Sequence, residues 1–146
     1  MNVPGTVEIA TARPEATAAF WRSHERESLR TLYAFTVVWH EQRHDLVATI
    51  DGGIVGALRL QIAASLAHVV TLVVDPQHRR RGIGRALVLR AEEVANYYNC
   101  HKVTLEVPAA VGEARAFFAA CDYRTEAILP QHTFKLDVAV LRKFLL

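Results

Sequence analysis

The sequence has few cysteines and no long apolar run, and each shortage excludes a class of protein. Only 2 cysteines occur in 146 residues; they lie far apart and form no CxxC pair, which argues against a disulfide scaffold. The most apolar stretch, residues 62–74, is interrupted by polar residues and is shorter than the roughly 18 residues of a membrane span. No basic segment followed by a long apolar one begins the chain. We therefore expect a cytoplasmic protein with no secretory signal and no membrane partner.

Charge and composition indicate an ordinary globular chain. Hydrophobic residues make up 51% and charged residues 22%, a balance that argues against disorder. The 17 basic and 15 acidic residues leave a net charge of +2, too weak to favour a nucleic-acid partner. The length predicts a single domain over residues 1–146, long enough to bury a core without disulfides or metal.

Apolar periodicity predicts an α/β or α+β fold with a mixed sheet. The stretch 33–44 is ambiguous between helix and strand, and Asp-Gly-Gly at 51–53 is a hairpin signal. The predicted elements are a strand over 7–10, one helix or two short ones over 15–33, strands over 46–50, 54–62 and 66–74, a helix over 83–99, a strand over 102–107, a helix over 112–120, a strand pair over 123–129 and 132–138 around Pro130, and a short tail helix over 139–146.

The most informative segment is a buried strand that feeds a basic, glycine-containing loop and then a helix. Helix starts have unpaired N–H groups and partial positive charge, and glycines let a ligand approach the backbone, so this arrangement favours a diphosphate site. The dinucleotide pattern GxGxxG fails because Leu87 occupies its third glycine position, and no Gly-Lys-Ser/Thr exists for an ATP or GTP loop. The pattern that fits is Arg-x-x-Gly-x-Gly over residues 79–84.

Two segments resemble a known enzyme family. Leu-x-Val-x-Pro at 72–76 followed by Arg-x-x-Gly-x-Gly at 79–84 is similar to the central motif of the GNAT (Gcn5-related) N-acetyltransferases, and the stretch 114–123 echoes a later motif of that family. The resemblance implies a GNAT-like, mostly antiparallel central sheet flanked by helices. It also implies acetyl-coenzyme A as donor and a primary amine of a small molecule or peptide as acceptor. No nucleophile stands beside a base, so we expect direct attack without a covalent enzyme intermediate.

The resemblance also implies where the donor binds. Backbone amides over 79–85 would hold the pyrophosphate, the strand 72–74 would pair with the pantetheine arm, and the amide of Val74 would polarise the thioester carbonyl. The residues so implied are Leu72, Val73, Val74, Arg79, Arg80, Arg81, Gly82, Ile83, Gly84, Arg85 and Phe118.

His68 is the predicted proton acceptor. Many relatives carry a glutamate four residues before the Leu72 position, and this chain has His68 there. A histidine with a pKa near neutral can take a proton from an amine directly or through water. The alternative is a hydrogen-bonded histidine on a half-buried strand.

Three positions depart from the family pattern. Phe118 replaces a tyrosine whose hydroxyl protonates the leaving thiolate, Val111 replaces an asparagine, and Asp122 replaces a glycine. A thiol with a pKa of about 8.5 can leave as thiolate, so the loss of the hydroxyl does not by itself exclude turnover. The alternative function is a non-catalytic, regulatory domain that binds coenzyme A.

A competing motif occurs at residues 40–44, which read His-Glu-Gln-Arg-His. On a helix, HExxH would place two imidazoles on one face for zinc, as in zinc peptidases. The flanking charges and the strand predicted directly afterwards argue against this function, so we expect no metal. The family resemblance instead implies that Trp39, His40 and Glu41 border the acceptor.

The sequence leaves the acceptor and the oligomeric state open. A small amine, an amino acid, an antibiotic, a polyamine or a protein amine would each fit, because a fold does not name a substrate. The apolar tail over 138–146 would suit a contact with a partner chain or with the protein's own sheet, and we expect a homodimer.

Overall fold

The structure is a computed structural model that describes residues 2–3, backbone only, and residues 5–145. It falls into two compact units, Met1–Val38 and Trp39–Leu146. The family-like motifs all lie in the second unit. The expectation of a single domain stays a prediction.

The first unit holds a short ladder and one long helix. Strands β1 (Asn2–Val3) and β2 (Val7–Glu8) pair antiparallel, and helix α1 spans Pro14–Tyr33. Proline suits the first turn of a helix, where its missing N–H has no partner to lose. No helix among the described residues is long and apolar enough to cross a membrane.

The second unit is a six-stranded sheet with two helices. Its strands follow the order β3-β4-β5-β6-β8-β7, and only β5 and β6 run parallel, so the expected mixed, mostly antiparallel sheet is confirmed. The elements are β3 (Glu41–Ile50), β4 (Gly53–Ala63), β5 (Leu66–Val74), a 3₁₀ turn (Pro76–His78), α2 (Ile83–Tyr97), β6 (Lys102–Pro108), α3 (Gly112–Ala120), β7 (Arg124–Thr133) and β8 (Leu136–Phe144).

The core lies between one face of this sheet and α2. Alternate residues of β4 (Leu58, Leu60 and Ile62) are fully buried, as period-2 geometry requires of a face turned to a core. Val88 and Ala91 of α2 are fully buried as well. This packing fixes where α2 begins relative to the end of β5, and therefore positions the loop between them.

The C-terminal region differs from the sequence prediction. The predicted strands over 123–129 and 132–138 are wrong in their bounds, and the tail helix over 139–146 is wrong for its described part, because residues 136–144 form β8. The turn lies at Phe134 and Lys135, both with positive φ, and not at Pro130. Proline is tolerated there because β7 is an edge strand.

Candidate active site

A cleft opens where the two parallel strands separate. β5 and β6 pair from Leu66–Lys102 to Val69–Leu105, and no pairing follows. The register between β4 and β5 shifts at this level, since Leu60 pairs with Val69 but Arg59 pairs with Thr71. Val70 is therefore an extra, bulged residue. A bulge bends its strand, which accounts for β5 leaving β6 at this level.

The backbone of β5 beyond the bulge presents hydrogen-bonding groups to the cleft. The N–H of Asp75 donates to the carbonyl of Val55 on the β4 side at 2.8 Å. Backbone groups alternate sides along a strand, so Val73 also faces β4, while Leu72 and Val74 face the open side. The N–H groups of Leu72 and Val74 and the Leu72 carbonyl are available to pair with an extended ligand, whereas the Val74 carbonyl accepts a hydrogen bond from Arg79.

The cleft forms a cavity of about 730 Å³ between β5, β6, α3 and the loop before α2. The predicted donor-binding residues that line it are Leu72, Val73, Val74, Arg79, Arg80, Gly82, Ile83, Gly84, Arg85 and Phe118. Arg81, predicted with them, does not line the cavity, and neither does His68. The structure thus brings together most of the loop and strand residues named from the sequence.

The start of α2 offers unpaired donors to this cavity. Gly82 caps the helix with φ 78° and no side-chain cap bond, and the N–H of Ala86 is the first to bond back, to the Gly82 carbonyl at 3.0 Å. The N–H groups of residues 83–85 precede that bond and have no helical acceptor. Together with the partial positive charge of a helix start, they suit an anion.

The loop arginines differ in how they are held. The Arg79 Nε donates to the Val74 carbonyl at 3.3 Å, and the Arg85 Nη1 donates to the Ala120 carbonyl at 3.1 Å. Each side chain therefore links two segments of the chain beside the cavity. Arg80 lines the cavity and adopts φ 62°.

Position 84 requires glycine because a side chain there would meet Phe117, a contact that the sequence does not reveal. A Cβ added there would lie 3.1 Å from Cζ of Phe117 and 3.7 Å from Cγ2 of Val74. The space above Gly84 is therefore already occupied by the protein's own phenyl ring. The interpretation that a glycine admits a ligand needs correction at Gly84, where glycine permits the packing of α2 against α3. At Gly82 it stays a prediction, and the left-handed φ of 78° is a second reason for glycine there.

His68 lies beside the closed end of the cleft. Its Nδ1 is 2.9 Å from the Thr104 hydroxyl across the β5–β6 pair. Burial lowers the pKa of His68, and the negative charge of Glu106 opposes that effect more weakly. His68 is therefore neutral near pH 7, the state that can accept a proton. It lies six positions before Val74, about 20 Å along a strand, so the two cannot act on one atom without an intermediary.

Glu106 is a residue that the sequence analysis missed. It lines the cavity just beyond the last β5–β6 pair, on the face of β6 that also carries Thr104. Alternation along the predicted strand 102–107 puts positions 104 and 106 on one face. It does not reveal that β5 lies alongside, so the proximity of Glu106 to His68 came only from the tertiary structure.

No tyrosine is among the described residues that line the cavity, so none replaces the missing hydroxyl at position 118 there. Phe118 is buried in the core. The Tyr123 hydroxyl donates to Oε2 of Glu92 at 3.0 Å, and Lys143 donates to Oε1 of the same carboxylate at 2.8 Å. Burial raises the pKa of Tyr123 strongly, with help from Glu92. Burial also raises the pKa of Cys121, so this thiol is not an activated nucleophile.

The HEQRH segment does not form the helix that a zinc peptidase needs. β3 begins at Glu41, so His40 and His44 are separated by about 13 Å along extended chain rather than by one helical turn. His44 approaches the Gln42 amide at 3.0 Å and packs on the Tyr98 ring. No cluster of three or more metal-ligating side chains occurs among the described residues. The zinc alternative is therefore wrong in its structural premise.

The residues proposed to border the acceptor lie outside the cavity. Trp39 Nε1 donates to Oε1 of Glu41 at 3.2 Å, and neither of these residues nor His40 lines the cleft. Glu41 lines a second, smaller hollow on the sheet.

Comparison with known proteins identifies the family. The profile described as Acetyltransferase (GNAT) family matches residues 10–123. An uncharacterized N-acetyltransferase of Methanocaldococcus jannaschii is 33% identical over 125 residues, which cover 80% of this chain and 78% of that protein. Ard1 from Thermoplasma volcanium is 25% identical with a TM-score of 0.64 over 68% of this chain and 69% of that one. An acetyltransferase from Bacillus cereus matches the fold alone, at 19% identity and a TM-score of 0.68 over 95% and 98% of the two chains. The chain therefore belongs to the GNAT family of acetyltransferases.

Proposed function

We propose that this protein transfers the acetyl group of acetyl-coenzyme A to a primary amine by direct attack. The single observation that carries the proposal is the cleft between β5 and β6, which joins a free strand edge to an anion-binding helix start. A thioester on a long, extended arm with a diphosphate at its end needs both features in that order.

The donor's diphosphate would lie at the start of α2. The N–H groups of residues 83–85 supply hydrogen bonds, and Arg80 supplies positive charge beside them. The pantetheine arm would then run along residues 72–74 of β5 and pair with the backbone groups that face the cleft. The phenyl rings of Phe117 and Phe118 give that side of the cavity an apolar wall.

The thioester carbonyl would accept a hydrogen bond from a backbone amide of β5. Val74 is the donor expected from the sequence, and Leu72 faces the same side. Leu72 lies two residues nearer to His68, about 7 Å along the strand. A fixed amide aimed at the oxygen where negative charge develops lowers the barrier to attack. The amine nitrogen forms the new bond to the acyl carbon, and the C–S bond breaks.

The acceptor would lose its proton to His68 or Glu106. A lysine-type amine has a pKa of about 10.4, so most of it is protonated at neutral pH and must lose a proton before it attacks. His68 is held neutral by burial, and Glu106 faces the cavity. Water would link the amine to whichever group accepts the proton, because His68 does not line the cavity.

The sulfur would depart as a thiolate. Phe118 has no proton to give and the Tyr123 hydroxyl is already donated to Glu92, so protonation falls to water. The same absence of an acid favours the second candidate function, a domain that binds coenzyme A without efficient transfer. Turnover of acetyl-coenzyme A over a panel of amines separates the two candidates.

The test of donor binding uses glycine variants. We expect acetyl-coenzyme A to raise the unfolding temperature of the wild type with increasing concentration. Gly82→Ala forces a β-carbon into a φ of 78° and should weaken this shift. Gly112→Ala is the matched control, since its Cβ meets nothing within 4 Å and its φ is ordinary. A wild type that acetyl-coenzyme A does not stabilise would overturn the proposal.

A further inference from the structure

A second hollow lies on the sheet face opposite the α2 core. Its volume is about 320 Å³, and it is lined by Glu41, Gln42, Arg43, Arg59, Gln61 and Val70. Val70, the bulged residue, lines both this hollow and the cleft. The hollow therefore borders the cleft at the bulge, two residues or about 7 Å along the strand from Leu72.

Strand register sets Arg43 and His68 in one row across the sheet. Arg43 pairs with Gln61 on β4, and Gln61 pairs with His68 on β5. Paired residues project to the same face, and neighbouring strands lie about 4.8 Å apart. Arg43 and His68 are therefore about 10 Å apart at their backbones, two strand spacings, with the Gln61 side chain between them.

The charged residues around the hollow do not pair with Arg43. Arg59 is ion-paired with Asp45, with Nε 3.1 Å from Oδ1. Glu41 accepts a hydrogen bond from the Trp39 indole, and it is not within ion-pair distance of Arg43. No hydrogen bond or ion pair joins the Arg43 guanidinium to any described residue. A guanidinium in this state binds carboxylate or phosphate oxygens through paired N–H donors.

We infer that this hollow is the acceptor subsite, and that Arg43 binds an anionic group carried by the acceptor amine. The inference rests on the proposed function and names its substrate class: a small primary amine with a carboxylate or phosphate at its other end. Gln61 lines the path between the two ends and can hydrogen-bond the linker. The amine then lies near His68 and Val70, beside the cleft.

The geometry also limits the length of the acceptor. The backbones of Arg43 and His68 lie two strand spacings apart, about 10 Å, and both residues project to the same face of the sheet. An acceptor that contacts both side chains is therefore a small molecule with a short linker between nitrogen and anion. Polyamines fit less well, because their second positive charge would face Arg43.

The experiment compares paired amines with acetyl-coenzyme A as donor. β-Alanine is set against propylamine, phosphoethanolamine against ethanolamine, and a diamine and a short peptide are included. We expect the wild type to prefer the anionic member of each pair, and the carboxylate and phosphate arms tell which anion is bound. Arg43→Gln should raise KM for the anionic amines about 10- to 100-fold with little change in kcat, and leave neutral amines unaffected.

Two further variants exclude a general structural effect. Arg43→Lys should restore part of the preference, because it keeps the charge but loses the paired donors. Arg124→Gln, an exposed arginine on the distant edge strand β7, should change neither KM nor kcat. Equal use of anionic and neutral amines, an equal loss for both in Arg43→Gln, or a preference for the diamine or the peptide would each overturn the inference.

A binding readout keeps this test distinct from a failure of the proposed function. If no amine is acetylated, the unfolding temperature is measured with β-alanine and with phosphoethanolamine in the presence of coenzyme A. Stabilisation of the wild type that is lost in Arg43→Gln would support the subsite even though transfer fails. No stabilisation by either amine would overturn it.

Discussion

At the scale of single residues, Asp122 shows how a departure from a family motif strains the backbone. It follows α3 with φ 70°, the left-handed region that glycine adopts freely, and it stands where relatives carry glycine. The departure from glycine could be identified from the sequence, because residues 114–123 resemble a motif of the family that has glycine at this position. The strain itself became visible only in the backbone.

Asp122→Gly should stabilise the protein by up to about 1 kcal/mol, because it relieves a left-handed conformation. Urea unfolding measures the change. Ala119→Gly, an exposed position inside α3, is the control and should destabilise by about 0.5–1 kcal/mol. A loss of stability in both variants would contradict the argument from φ.

The buried Glu92 and Tyr123, with the half-buried Lys143, predict an alkaline loss of stability. Tyr123→Phe removes one hydrogen bond to a buried carboxylate and should cost about 1–2 kcal/mol at pH 7. The pKa of Tyr123 is raised in the folded state, so its stabilising effect is complete below the unfolded value of about 10 and falls as the pH rises above it. Unfolding titrations of both proteins should therefore converge above pH 10, and a constant difference would contradict this assignment.

The pH dependence of turnover distinguishes the two candidate proton acceptors. If His68 accepts the proton, kcat should fall at low pH, where His68 is protonated; this fall is the acid limb of the pH profile. Because the pKa of His68 is lowered, the acid limb should lie below pH 6.5. If His68 is the acceptor, His68→Gln should lower kcat by about 100-fold or more while acetyl-coenzyme A affinity stays unchanged. Glu106→Gln should then shift the limb to lower pH, because it removes the charge that raises the pKa of His68.

The control for Glu106 is Glu113→Gln, a second carboxylate on the cavity wall. Glu113→Gln should change neither the acid limb of the pH profile nor kcat. A large loss of kcat in Glu106→Gln without a shift of the limb would assign the proton to Glu106 instead. Wild-type rates in His68→Gln at every pH would remove His68 from the mechanism.

At the scale of elements, the bulge in β5 decides whether a cleft exists. The bounds of β5 and α3 follow from sequence alone, because an apolar run ended by Asp-Pro and a helical pattern begun by Gly112 are strong local signals. The bulge at Val70 has no such signal, since Val-Val-Thr fits a regular strand equally well. It is fixed by pairing with β4, which lies elsewhere in the chain.

Deleting Val70 should close the cleft without unfolding the sheet. The deletion leaves Val69 and Thr71 opposite their present partners on β4 and removes only the extra residue, so β5 can continue straight alongside β6. We expect acetyl-coenzyme A affinity to fall at least about 10-fold while the circular dichroism spectrum is retained. Val70→Thr keeps the bulge and is the control; equal donor affinity in the deletion variant would contradict a role for the bulge.

At the scale of the whole molecule, the C-terminal segment completes the sheet. β8 lies between β6 and β7, with Val138, Ala139 and Leu141 buried. Part of the apolar tail that suggested a partner contact therefore packs in the protein's own core, whereas Phe144 is exposed. The homodimer remains a prediction, which sedimentation at several protein concentrations would test.

Removal of residues 136–146 should prevent folding of the second unit. The truncation leaves β6 without an antiparallel neighbour and exposes a core that β8 now covers. Loss of the cooperative unfolding transition is the expected result. Phe134→Ser at the hairpin tip, where the side chain is 91% exposed, should change stability by less than about 0.5 kcal/mol. A truncated protein that still unfolds cooperatively would contradict the central role of β8.

The sequence by itself determined the family, the bounds of β5 and α3, and the loop that would hold a diphosphate, because each depends on local periodicity or on a contiguous motif. The tertiary structure decided the register at Val70, the approach of Glu106 to His68, the ring that fills the space above Gly84, and the row from Arg43 to His68. These features join residues that are distant in the chain. Strand pairing and side-chain packing bring them together, and neither leaves a local signal in the order of the amino acids.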